Sequence, residues 1–81
     1  MDFRHLHQLL VTHLRERIAS GTLTERGLAK STGVSQPHIH NVLKGKRLFS
    51  TDTADDILHD LDIDLIDLIG RKEFLEWRQR Q

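Results

Sequence analysis

The chain has 81 residues, no cysteine and a formal net charge of zero. That length permits one small domain with a thin core, held by neither a disulfide framework nor a thiolate metal site. No apolar run approaches the roughly 20 residues that span a bilayer, and the opening MDFRHLHQ lacks the basic-then-apolar order of a signal peptide. A soluble cytoplasmic protein is expected, with no membrane contact. The neutral total conceals a polarised distribution. Residues 1–50 carry eight Lys and Arg against three Asp and Glu, 51–69 carry seven Asp and no Lys or Arg, and 70–81 carry four cations and two anions. Such a chain can turn a basic face to phosphates while staying neutral overall.

Residues 2–19 place Phe3, Leu6, Leu10, Leu14 and Ile18 near a four-residue spacing, with Leu9 and Val11 beside them. This is the period of an amphipathic helix. Asp2 suits its N-cap and Ser20-Gly21 its stop, and Arg4, Arg15 and Arg17 fall off the apolar strip as solvated charges. Residues 24–32 form a second helix. Thr24 is a good N-cap, Leu28 and Ala29 supply an apolar strip, and Gly33 ends the helix where a left-handed conformation is easiest. Gly27 is a poor helix former, costing about 1 kcal/mol relative to Ala; close approach of another helix and simple tolerance both explain it.

Val34 follows, Ser35 caps a third helix over 36–44, and Pro37 sits in its first turn, where a missing N–H costs nothing. Ile39, Val42 and Leu43 give the inward strip at i, i+3, i+4. Gly45 closes this helix among Lys44, Lys46 and Arg47. Two helices joined by so tight a corner make a helix-turn-helix arrangement.

Leu48-Phe49 reads as a hydrophobic clasp back onto the core. Ser50, Thr51 and Asp52 offer N-caps for a fourth helix through about Leu61, with Ala54, Ile57, Leu58 and Leu61 inward and Asp52, Asp55 and Asp56 near its positive end. Asp62-Ile63-Asp64 is a short linker, and Asp64 caps a fifth helix, LIDLI, with Leu65, Leu68 and Ile69 inward. Gly70 ends or interrupts it, and the tail RKEFLEWRQRQ is helix-forming. The organisation expected is a domain over 1–69 and a helical tail over 70–81, all-α, with five helices.

Catalysis finds little here: no cysteine, no Ser in a G-x-S-x-G elbow and no phosphate loop with Lys after Gly. No cofactor is implied. His5/His7 and His38/His40 are i, i+2 pairs that point to different sides of a helix, and His13 and His59 lack an evident partner in sequence. The Asp run lacks the central Gly and closing Glu of a calcium loop. No metal site is expected, and His38 and His40 read as polar groups on an exposed helix. Double-stranded DNA accounts for more. In a helix-turn-helix the second helix lies in the major groove, with residues near its N-terminus at base edges. Those are Gln36, Pro37 and His38, with Asn41 a turn further on. Gln and Asn pair bidentately with adenine, His donates to guanine acceptors, and the Pro ring touches a thymine methyl. Ser35 and free N–H groups hold a phosphate, and Lys44, Lys46 and Arg47 hold the backbone beyond.

LTERGLAKSTGVSQPHIHNVLKGKR resembles the helix-turn-helix of the phage Cro and repressor (XRE) family. Leu28-Ala29, Gly33-Val34-Ser35, Gln36, Ile39 and Gly45-Lys46-Arg47 carry the resemblance. It extends over about residues 6–69, including LHDLDIDLIDLI as fourth and fifth helices. It implies the lambda-repressor-like fold and a sequence-specific transcription regulator, expected to repress, cytoplasmic and nucleoid-associated, working as a homodimer on a palindromic operator. By position, Gln36, Pro37, His38 and Asn41 would read bases, and Thr24, Arg26, Ser35, Lys44, Lys46 and Arg47 would contact phosphate. The chain departs from the family in three places. Glu25 stands where a phosphate-contacting Gln is frequent, with Arg26 next door as substitute. Leu43 stands where a Glu often pairs with an Arg of the first helix. The connection from Ala19 to Leu23 is longer than usual.

Ile66, Ile69, Phe74, Leu75 and Trp77 form a candidate dimer surface; alternatively Phe74 and Trp77 fold back on the first helix and complete the core. No effector domain is expected, so regulation would fall to expression level, a partner protein or proteolysis. The regulator would be free-standing or the antitoxin of a toxin–antitoxin pair. The rival is a protein-interaction module of the same shape that docks a partner protein through its acidic fourth and fifth helices.

Overall fold

A computed structural model describes residues 2–70, 75, 76 and 78–80. Its elements are α1 (Phe3–Ala19), α2 (Glu25–Thr32), α3 (Gln36–Leu43), α4 (Thr51–Asp60) and α5 (Leu65–Ile69), with no strand among the described residues. Each helix starts on the residue whose side chain can accept a free N–H: Asp2, Thr24, Ser35, Ser50 and Asp64. For the short α5 the cap is reciprocal. Asp64 Oδ1 accepts from the Asp67 N–H at 3.0 Å, and Asp67 Oδ2 accepts from the Asp64 N–H at 2.9 Å.

Three helices end in the same left-handed turn. The N–H groups of Gly21 and Thr22 reach Ile18 and Arg17, those of Gly45 and Lys46 reach Val42 and Asn41, and those of Asp62 and Ile63 reach His59 and Leu58. These are Schellman closures. In the first, the Ser20 and Thr22 hydroxyls also donate to the Arg17 carbonyl, which secures the long connection and returns Leu23 to the core. In the third, Asp62 takes φ +52° and Ile63 is buried. The expected linker is therefore a helix cap with an apolar anchor. Gly70, at φ +78°, ends α5, and residues 75, 76, 78 and 79 are helical.

The core is Leu10, Leu14, Leu28, Ile39, Val42, Leu43, Phe49, Ala54, Ile57 and Ile63, to which α1, α2, α3, α4 and the turns on either side of α4 contribute. Leu43 lies in it as an apolar group, where the family often has an ion pair. The inward stripe of α1 differs from the expected one. Phe3 stays 37% exposed, whereas His7 is buried. His7 is tolerated there because it has work for its ring nitrogen: the Phe49 N–H donates to His7 Nε2 at 3.0 Å across 42 residues of sequence. The Phe3, His7, Phe49 and His38 rings follow one another with centroids 5.7–5.9 Å apart, joining the first turn of α1 to that of α3. The expected clasp is thus Phe49 alone, since Leu48 is 53% exposed.

Burial holds the His7 imidazole below its ordinary value of 6.5, because the charged form loses its water. Protonation at Nε2 would also remove the acceptor for the Phe49 N–H. The unfolded chain then binds a proton near pH 6.5 that the folded chain does not yet accept, so stability is full above that pH and falls below it. His7→Gln keeps an acceptor without the titration. Urea unfolding at pH 7.5 and 5.5 should show a smaller acid loss in His7→Gln than in the unaltered chain; equal losses would contradict this role for His7.

Candidate nucleic-acid interface

The corner is built locally. Thr24 Oγ1 accepts the Gly27 N–H at 2.9 Å, and a Cβ on Gly27 would meet that same oxygen at 2.9 Å. The glycine thus clears the capping hydroxyl rather than a neighbouring helix. Gly33 turns the chain at φ +77° and donates its N–H to the Ala29 carbonyl. The Val34 N–H is taken by Thr32 Oγ1 at 3.2 Å, which drops the half-buried Val34 against the core. Ser35 Oγ then accepts the His38 N–H at 3.3 Å and α3 begins.

With Ile39, Val42 and Leu43 buried, the opposite side of α3 is solvent-facing. An open groove there is lined by Glu25, Gln36, Pro37, His40 and Asn41. It brings together three of the four expected base readers. His38 is turned aside, half-buried, with its ring edge on Phe49 at 5.9 Å. His40, read from sequence as merely exposed, stands on the groove one turn after Gln36; the i, i+4 relation to Gln36 was the signal for it. Thr24 and Arg26 are exposed at the start of α2 and Ser35 at the start of α3, and Lys44, Lys46 and Arg47 are exposed at the far end of α3. The Schellman closure there projects the last three beside the partly negative helix end.

Glu25 is half-buried and its Oε1 lies 3.1 Å from His40 Nδ1, so its charge is engaged by the neighbouring helix rather than simply facing outward. The acidic residues of α4 and the following turn border a separate depression, lined by Asp55, Leu58, His59, Asp62, Ile63 and Asp64, which shares no residue with the α3 groove. On the expected dimer surface Ile66 and Leu75 are 44% and 45% exposed. Ile69 is a correction: α5 packs on α1 and leaves it 7% exposed, so its side chain is enclosed by its own chain. Phe74 and Trp77 lie outside the described residues. Among the described residues no helix is long and apolar enough to cross a membrane.

Two short capped helices, a three-residue corner turned at the left-handed Gly33 and a polar outer face on the second helix define a helix-turn-helix DNA-binding domain. A family model described as Helix-turn-helix matches residues 14–68, and the chain belongs to that family, the XRE type that includes Cro and C1 proteins. Its members are DNA-binding transcription regulators and generally not enzymes. Neither curated proteins nor solved structures gave a match to the chain.

Proposed function

We propose that this protein is a sequence-specific transcription regulator that represses by laying α3 in the major groove of its operator. The observation that carries the proposal is the outer face of α3, where Gln36, Pro37 and Asn41 line one groove, with exposed hydroxyl and basic groups at Thr24, Arg26 and Ser35 and exposed cations at Lys44, Lys46 and Arg47. Gln36 and Asn41 would read adenine edges and Pro37 a thymine methyl, with His38 at the flank. Thr24, Arg26 and Ser35 would hold one phosphate run, and Lys44, Lys46 and Arg47 the other. Domain 1–69 would carry this activity. One such unit reads few base pairs, so a homodimer with half-sites about one helical turn (~34 Å) apart is proposed, joined through Ile66, Leu75 and the tail.

Binding to random duplex DNA at increasing salt tests this. The protein should bind at low salt and lose affinity steeply, by a slope of roughly −0.9 in log–log form for each phosphate neutralised. Absence of binding at low salt would overturn the proposal and favour a protein partner docked on the acidic α4 and α5.

A further inference from the structure

His40 lines the α3 groove beside Gln36, Pro37 and Asn41, yet the roles above leave it unused. Its Nδ1 meets Glu25 Oε1 at 3.1 Å, with side-chain exposures of 52% for His40 and 29% for Glu25. The ring therefore reaches the groove while the carboxylate is partly sunk at the first turn of α2. A second depression, which includes Arg15, Leu43 and Lys44, shares both residues, so the pair forms a ridge between two grooves.

We propose that His40 reads a base and that Glu25 is its positioning residue, an inference that rests on the DNA reading above. A carboxylate oxygen only accepts, so the Nδ1 facing it carries the hydrogen. The bridge to α2 occupies Nδ1 and restrains the ring, which leaves Nε2 as the polar atom for the base. In the neutral ring Nε2 accepts, and its partners are the amino groups of adenine and cytosine; in the imidazolium it donates, and its partners are guanine N7 and O6. One base pair of each half-site is read through this atom. Glu25 has a second, opposite effect, because its negative charge sits in the first turn of α2 between Thr24 and Arg26, to which the reading above gives a phosphate. The chain thus gives up some sequence-independent affinity for a fixed reading group.

The opposite signs make the inference testable. Duplexes selected from a random pool by the unaltered protein, and their single-base-pair variants, are titrated with the full chain and with His40→Ala, Glu25→Ala, Glu25→Gln and the double alanine variant, all at one pH. His40→Ala should reduce discrimination at one base pair by about fivefold or more, the scale of a lost base contact. Glu25→Ala should lower discrimination at that same base pair while raising affinity for random duplex. Glu25→Gln keeps an acceptor for Nδ1–H, so it should raise random affinity and keep discrimination. The double variant should discriminate there no worse than His40→Ala. Unchanged preferences at every base pair in His40→Ala would overturn the inference while leaving the DNA reading intact. So would a Glu25→Ala effect equal on all duplexes. If the unaltered protein selects no site, the DNA reading itself fails and the inference falls with it.

Discussion

Phe49→Ala is expected to lower the unfolding free energy by about 3–5 kcal/mol, the usual range for removing a buried Phe. Small domains hold only about 5–15 kcal/mol in total, so much of the population should be unfolded at modest urea. Phe49 is 2% exposed and touches both ends of the fold that matter for the interface. Its ring lies between those of His7 and His38, and its N–H is the donor to His7. Losing the ring leaves a cavity at the junction of α1 and α3 and frees His38 from its edge contact. Urea unfolding followed by far-UV circular dichroism checks this, with Leu48→Ala as control. Leu48 is 53% exposed and should change stability by no more than about 0.5 kcal/mol. A Phe49→Ala loss as small as that of the control would contradict the role given to the ring.

Gln36→Ala and Lys46→Ala should separate base reading from backbone binding. Gln36 opens α3 and is exposed on the groove, so its loss should cost about 1–3 kcal/mol on the selected site, with little change on random duplex. Lys46 projects from the closure of α3, so its loss should weaken all sequences alike and reduce the salt slope by about one. Titration of both variants on selected and random duplexes decides. Equal effects of Gln36→Ala on the two DNAs would contradict base reading.

Much of the fold was legible because its punctuation is local. Asp2, Thr24, Ser35, Ser50 and Asp64 each cap the N–H three residues on, and Gly33, Gly45 and Gly70 each occupy a positive-φ stop, so a few adjacent residues specify each boundary. Distant pairing was not legible. His7 falls on the inward face of α1 by spacing, four after Phe3 and three before Leu10, but a polar ring there makes no sense until Phe49, 42 positions away, supplies its partner. Asp62-Ile63 looks like a linker because an Asp in the left-handed region carries no glycine signature. At the candidate site, apolar spacing indicated which face of α3 turns outward. The division between His38 and His40 depended instead on the Phe49 ring and the Glu25 carboxylate, neither of which is near in sequence. Spacing already put Ile69 on the inward face of α5, and its packing against α1 removes it from the dimer surface, whereas Ile66 stays exposed.

Selection of bound duplexes from a random pool tests DNA reading by α3 most directly. The expected result is a palindromic site whose half-sites lie about one helical turn, ~34 Å, apart and whose preference weakens in Gln36→Ala. Recovery of a pool no different from the starting one, under low-salt conditions, would contradict it.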